Sequence, residues 1–181
     1  MIVLETERLI LRRWRESDRA PFARINADDR VMEHFPAPLS TEESDRMIER
    51  MEQNFERHGF SFCAAELRDD GRFIGFIGVS VPSFDAHFTP CVEIGWRLAA
   101  DCWGRGLATE GAQAMVRYAF ESLTLRELVS FTVPGNVRSR RVMEKLGMSH
   151  DPEDDFDHPR TLGRHVLYRL SNRQAEHRDP S

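Results

Sequence analysis

The chain has 181 residues, of which 40% are hydrophobic and 30% charged, a balance typical of a folded globular protein and not of a disordered or membrane chain. A formal net charge of −5 argues against a general nucleic-acid-binding protein, which usually presents a basic surface. A single domain of this length can bury a sizeable core without disulfides or a structural metal.

The sequence carries no signal for membrane insertion or export. No apolar stretch approaches the roughly 18 residues of a transmembrane helix, and the start, MIVLETERLILRRW, is too charged for a signal peptide. We therefore expect a cytoplasmic protein with neither a membrane nor a nucleic-acid partner. Cys63, Cys91 and Cys102 form no C-x-x-C pattern, which predicts reduced, structural thiols, with Cys102 the most accessible.

The first third of the chain predicts one strand followed by two helices. Alternating apolar residues indicate a strand within residues 8–14, and a short helix is expected from Asp18 to Ile25. The segment 26–40 is rich in loop-forming residues. Ser40 and Glu43 then form a capping-box pattern, which opens a helix that Gly59 ends.

The remainder predicts five more strands and two more helices. Strands are expected at 60–66 and 72–81, joined by an Asp-Gly turn, and then at 91–99, 127–133 and 164–170; helices are expected from about Trp103 to Phe120 and from Asn136 to the C-terminal glycine Gly147. The sheet should be antiparallel at first and parallel between 91–99 and 127–133, since a helix connects those two strands. We expect one domain over 1–170 and a flexible tail over 171–181.

A loop with two glycines precedes the second long helix, in DCWGRGLATEGAQAMVRYAF (101–120). A Walker loop is excluded because no lysine follows either glycine. The dinucleotide pattern G-x-G-x-x-G is matched only in part, since Thr109 replaces the third glycine and antiparallel strands come first. The loop could also be a tight turn without a ligand.

Backbone chemistry favours a phosphate at this loop. Glycines leave room for close approach, and amides near the positive end of a helix dipole attract anions. The amides expected to face a pyrophosphate are those of Gly104, Arg105, Gly106, Ala108 and Thr109.

The motif W-G-x-G-x-A-T-E resembles the acyl-CoA loop of the GNAT N-acetyltransferases, and in particular the branch of the ribosomal-protein N-terminal acetyltransferases (RimJ/RimL-like). Trp103 departs from the glutamine or arginine that is frequent in the broad family. The segments TERLILRRWRESD, FIGFIGV, VEIGWRL and NVRSRRVMEKLGM, in this order between residues 6 and 148, are similar to the same branch.

The resemblance implies an α+β GNAT fold. Its mixed, largely antiparallel twisted sheet would have about six to seven strands and about four flanking helices. A splayed pair of parallel strands would hold acyl-CoA. The implied activity is direct transfer of an acetyl group from acetyl-CoA to a primary amine in a ternary complex, with no metal.

The resemblance also assigns roles to individual residues. Glu93 would relay a proton from the amine, and a backbone N–H near Leu98 would stabilise charge on the thioester oxygen. Asn136 would contact CoA, and Ser139 would lie near the sulfur. Alternatives remain for each side chain: Glu93 could pair with Arg97 on the same strand face, and Asn136 could be a plain helix cap.

The acceptor and the partners are less determined by the sequence. A protein N-terminus and a small-molecule amine both fit the mixed aromatic and acidic loops 31–40 and 80–90, and a non-catalytic acyl-CoA-binding module of the same fold is the alternative function. The acidic segment 151–159 lacks a calcium-loop pattern and favours solvated surface, as does the run Arg138, Arg140 and Arg141. A homodimer through the last strand is expected from relatives.

Overall fold

Nine strands and five α-helices make up the part of the chain that a computed structural model describes, residues 1–161 and 163–172. The strands are β1 (Ile2–Glu5), β2 (Leu9–Arg12), β3 (Phe62–Leu67), β4 (Phe73–Ser80), β5 (Glu93–Leu98), β6 (Glu127–Thr132), β7 (Ser149–His150), β8 (Phe156–Asp157) and β9 (Arg164–Ser171). The helices are α1 (Arg19–Asn26), α2 (Asp29–Met32), α3 (Thr41–His58), α4 (Leu107–Glu121) and α5 (Val137–Lys145).

The strands form one sheet in the order β1-β2-β3-β4-β5-β6-β9-β7, with β8 paired to β9. Every neighbouring pair is antiparallel except β5 and β6, which run parallel. The chain crosses between those two strands through α4. The predicted α+β mixed sheet with one parallel pair is therefore confirmed, with more strands than the sequence predicted.

Helices cover both faces of the sheet. On one face α4 and α5 bury Leu107, Met115 and Met143 in the main core against β2, β4, β5 and β6. On the other face α1 and α3 pack an aromatic and aliphatic cluster that contains Trp14, Phe22, Ile48, Met51 and Phe76. Strand β5 is thus enclosed between two helical layers.

Helix α3 forms as its sequence predicts. Ser40 Oγ accepts from the Glu43 amide at 3.2 Å, and the Glu43 carboxylate accepts from the Ser40 amide at 2.8 Å. Gly59 ends the helix with a φ of 78°. Both ends of this helix are satisfied by local contacts, which explains why pattern alone located it.

Several elements differ from the prediction. Strand β1, the two-residue strands β7 and β8, and the single-turn α2 were not expected, because such short segments carry too little periodicity to be recognised. Helix α4 begins at Leu107 and not near Trp103, because Gly104 and Gly106 are left-handed and cannot continue a right-handed helix. Strand β9 continues to Ser171, and residues 173–181 of the predicted tail lie outside the described residues.

The three thiols are free, but their predicted accessibilities are wrong in one respect. Cys102 and Cys63 are both buried, whereas Cys91 is only half-buried. Burial raises the pKa of Cys63 to about 12 and that of Cys91 to about 11. Burial also raises the pKa of Cys102, so a thiolate nucleophile is disfavoured at all three positions.

No helix in the described ranges is long and apolar enough to span a bilayer. Strand β9 is paired with β6 on one side and with β7 and β8 on the other. Both edges of β9 are thus paired in part, and the homodimer through this strand stays a prediction.

A buried charged cluster fixes the turn between β2 and α1. Arg12 and Asp18 are each 2% exposed and form two parallel hydrogen bonds of 2.7 and 2.8 Å. Arg12 Nε also donates to Glu66 on β3 at 2.7 Å. The cluster anchors the start of α1, the helix that reaches the candidate site at its other end.

We expect Asp18→Ala to destabilise the protein by about 3–5 kcal/mol, because it leaves part of a buried guanidinium without its partner. Urea unfolding measures the change. Asp69→Ala in the exposed β3–β4 turn is the control and should stay within about 0.5 kcal/mol of the parent. Equal midpoints for the two variants would show that the cluster does not hold the turn.

Candidate active site

A cavity of about 360 Å³ opens between β5 and β6. The two strands share a single ladder position, Glu93 opposite Val129, with the Val129 amide donating to the Val92 carbonyl at 2.9 Å. Beyond that point they diverge. The cavity is lined by β5, the glycine loop, the ends of β6 and α5, and the segment from Arg30 to Phe35.

The divergence leaves backbone groups of β5 facing the gap. Residues two apart along a strand present their amides to the same edge, so Leu98 faces the same side as Val92. The Ala99 amide, in contrast, donates to Ile74 on β4 at 2.9 Å. The amide of Leu98 thus points toward β6, where the strands no longer pair.

The glycine loop turns sharply at the head of α4. Gly104 and Gly106 have φ values of 72° and 78°, and Gly106 is the residue that caps α4. No atom lies within 4 Å of a Cβ built on Gly104, so the left-handed backbone, and not crowding, requires glycine there. The first-turn amides of α4 have no helical partner and face the cavity end where Ala108 and Thr109 lie.

Two contacts from elsewhere in the chain hold this loop in place. The Trp103 indole Nε1 donates to the Leu98 carbonyl at 2.9 Å, which ties the loop to the end of β5. Arg8 Nη1 donates to the Arg105 carbonyl at 2.9 Å, and Arg8 Nε donates to Glu110 at 2.6 Å. We call the Arg8 contacts to Arg105 and Glu110 the Arg8 clamp.

Glu110 itself is well satisfied. Thr6 Oγ1 donates to it at 2.6 Å, and the Arg8 amide donates at 2.9 Å. Burial opposes its ionisation, but these hydrogen bonds and the Arg8 charge lower the pKa of Glu110 overall. The first turn of α4 is therefore fixed to the β1–β2 hairpin, about 100 residues away in sequence.

Glu93 lies at the start of β5 and lines the cavity. The walls of the cavity enclose its carboxyl group, and this burial raises the pKa of Glu93 to about 8. No ion pair joins it to Arg97 within the described ranges, so the alternative role considered for Glu93 is not observed. A carboxyl with a pKa near neutral can exchange a proton at physiological pH.

Asn136 and Ser139 lie at the start of α5 on the opposite wall. Asn136 Oδ1 accepts from the Ser139 amide at 3.1 Å, and its Nδ2 donates to Thr132 Oγ1 at 3.0 Å. Asn136 is thus a helix cap, as the alternative reading holds, while contact with CoA stays a prediction. Both side chains line the cavity, and the Ser139 hydroxyl makes no hydrogen bond to any described residue.

The fold brings most of the predicted site residues to one cavity. Those that line it are Glu93, Leu98, Gly104, Gly106, Ala108, Thr109, Asn136 and Ser139. Arg105 is not among them: its carbonyl accepts from Arg8. Sequence reasoning missed the Arg8 clamp and the position of Arg97 in the cavity, and a single sequence holds no signal for contacts over such distances.

The other charged segments form contacts within the protein, and part of one of them lines the cavity. In 151–159, Asp154 pairs with Arg169 at 2.7 Å and Asp155 with His150 at 2.8 Å, and no residue of this segment lines the cavity. Arg138 pairs with Glu33 at 2.7 Å and stacks on Trp103, and Arg140 donates to the Tyr168 hydroxyl. Arg138 and Arg141 do line the cavity. The described ranges contain no metal-binding cluster of His, Cys, Asp or Glu.

Comparison with known proteins identifies the family. Residues 8–149 match the family model described as "Acetyltransferase (GNAT) domain". The chain is 30% identical over 148 residues to YnaD of Bacillus subtilis strain 168, which is named an uncharacterized N-acetyltransferase; the match spans 82% of this chain and 83% of YnaD.

Solved structures of acetyltransferases have a similar fold. An acetyltransferase from Agrobacterium tumefaciens superposes with a TM-score of 0.79 at 30% identity, over 93% of this chain and 94% of that one. The ribosomal L7/L12 acetyltransferase RimL, solved with coenzyme A, superposes with a TM-score of 0.73 at 14% identity, over 94% of this chain and 98% of RimL. RimL thus shares the fold of the chain.

The family match and the similarity to named N-acetyltransferases agree with the cleft and its glycine loop. The chain belongs to the GNAT acetyltransferases, a family of acyltransferase enzymes that use acetyl-CoA.

Proposed function

We propose that this protein is an acetyl-CoA-dependent N-acetyltransferase that transfers the acetyl group directly to a primary amine in a ternary complex. One observation carries the proposal: a single cavity joins the glycine loop, the gap beside β5 and the carboxyl group of Glu93. The loop suits a pyrophosphate, the gap suits an extended thioester arm, and the carboxyl group suits an amine.

The residues that hold the cofactor are those of the loop and the strand beside it. The amides of the glycine loop and the first turn of α4 donate to phosphate oxygens, which the dipole of α4 favours. Asn136 contacts the arm from the opposite wall. The Arg8 clamp and the Trp103 hydrogen bond keep the loop in this shape before the cofactor arrives, which lowers the ordering cost of binding.

When bound, acetyl-CoA supplies the acetyl group as a thioester. The Leu98 amide donates to the thioester oxygen and stabilises the negative charge that develops there. The acceptor nitrogen forms its bond to the acetyl carbon, and the carbon–sulfur bond breaks. The Ser139 hydroxyl donates a hydrogen bond to the sulfur that leaves as a thiolate.

Glu93 accepts the proton that the amine loses, through water where direct contact is too long. Its pKa of about 8 matches an α-amino group, whose pKa is about 7.7–8.0, far better than a lysine at about 10.4. Proton transfer from an α-ammonium to Glu93 is thus nearly balanced in free energy.

Acetyl-CoA at a hundredfold excess over its Kd should stabilise the protein by about 2.7 kcal/mol, seen as a rise in Tm, with NAD and ATP as negative controls. Gly106→Ala should reduce this rise, because alanine is strained at φ 78°. Gly71→Ala is the matched control: it has a φ of 71° and open space around its Cβ, but lies in the β3–β4 turn. A rise with NAD or ATP alone would refute the assignment of the loop.

Glu93→Gln should lower kcat by about 10²–10⁴-fold without changing the acetyl-CoA thermal shift. The base acts only when deprotonated, so the wild-type rate should rise with pH through about 8 more steeply than titration of the amine alone produces, and Glu93→Gln should keep only the part of the rise due to the amine. Rates measured with one amine between pH 6 and 10 test this. Glu121→Gln, exposed at the end of α4, is the control; an unchanged rate in Glu93→Gln removes this residue from the mechanism.

A further inference from the structure

Arg97 is a half-buried cation that the described part of the protein leaves without an anionic partner. Its Nη1 donates to Asn26 Oδ1 at 2.7 Å and contacts the Met47 sulfur at 3.7 Å. Its Nε is buried and has no hydrogen-bond partner in the described structure. Burial lowers the pKa of Arg97 to about 10, so the guanidinium remains charged at neutral pH.

Arg12, in contrast, is paired with carboxylates. Arg12 is buried with two carboxylates, Asp18 and Glu66, on its nitrogens. Arg97 forms no ion pair with any described residue; only the rings of Phe35 and Phe76 lie over it, at 4.3 and 5.7 Å. A buried charge without a counterion is costly, and here it lines an open cavity.

The position of Arg97 relates this charge to the acceptor. Glu93, Gly95 and Arg97 share one face of β5, the face covered by α1 and α3, whereas α4 packs on the other face. Four residues of strand separate the Glu93 and Arg97 Cα atoms by about 13 Å. Gly95, between them, has no side chain, and the ring of Phe62 lies over it, 3.1 Å from the place that a Cβ would take.

We infer that Arg97 binds an anionic group of the acceptor, so that the substrate is an amine that also carries a carboxylate. A guanidinium is suited to a carboxylate, and because Nε is shielded and Nη1 donates to Asn26, Nη2 is the nitrogen left to donate to the anion. The spacing from Glu93 places the anion several bonds from the reacting nitrogen. This inference rests on the proposed N-acetyltransferase function and specifies its substrate class.

Arg97 also has a structural contact that the test must separate from substrate binding. Through Asn26, whose Nδ2 donates to Ser44 at 2.9 Å, it links β5 to α1 and α3. Arg97→Gln removes the charge. Asn26→Asp keeps the guanidinium but places a carboxylate on it, which should compete with the substrate anion.

The experiment uses amino acids of increasing length, namely L-α-amino acids, β-alanine, γ-aminobutyrate and 6-aminohexanoate, each beside its amide. Binding to the protein saturated with coenzyme A is measured by calorimetry, and turnover is measured with acetyl-CoA. Taurine and phosphoethanolamine, beside ethanolamine, distinguish a carboxylate from other anions. Arg50→Gln, exposed on α3, is the control variant.

We expect at least one acid to be favoured over its amide by about 10- to 100-fold in wild type and in Arg50→Gln, as one charged hydrogen-bonded contact provides. Arg97→Gln and Asn26→Asp should lose this preference, and Arg97→Lys should keep part of it. If Arg97→Gln fails to fold, Asn26→Asp and Arg97→Lys decide the question.

Equal binding of acids and amides, absence of binding by both, or a preference that persists without the Arg97 charge overturns the inference. If taurine or phosphoethanolamine binds better than every carboxylate, the anionic group of the acceptor is not a carboxylate. Acetylation of amides alone leaves the proposed function standing and rejects this substrate class. If an acid binds preferentially but no amine is acetylated, the anion site at Arg97 is supported and the proposed N-acetyltransferase function is rejected.

Discussion

The separation of two parallel strands is the constraint on which the rest of the molecule depends. Strands β5 and β6 share one ladder position, Glu93 opposite Val129, and then diverge. Because a buried amide needs a partner, the gap is stable only if something else satisfies or solvates its edges. The Trp103 indole donates a hydrogen bond to the Leu98 carbonyl, and the starts of α4 and α5 line the opening between the strands. The interruption of the sheet thereby opens the cavity.

The two walls of the cleft differ in the charged and polar groups that they carry. The wall formed by the loop and the helix starts is rich in amides and cations, which suits a polyanionic cofactor. The wall where Glu93 and Arg97 lie holds one carboxyl group, whose pKa is raised to about 8 by burial, and one guanidinium that forms no ion pair with a described residue. These two groups are costly to bury, and the remaining buried charges, such as Arg12, are fully paired. The cost is concentrated where a ligand can offset it.

Local chemistry determined what the sequence could predict. Helix α3, with its capping box and terminal glycine, and the left-handed glycines before α4 are encoded within a few residues, so they could be recognised from pattern. Strand β1 and the Arg8 clamp depend on partners far along the chain, and a single sequence holds no record of such pairs. The role of Arg97 is similar, because period-2 alternation placed it on the face of Glu93 but not beside Asn26.

The Arg8 clamp makes the cofactor loop a late product of folding. The loop and the first turn of α4 come from residues 101–110, whereas their clamp comes from the hairpin at the start of the chain. During synthesis about a hundred residues must follow the hairpin before Arg8 can contact Glu110 and hold the loop. A change at either end of this contact therefore frees the loop and the first turn of α4 from the hairpin, while the core contacts of the helices remain in place.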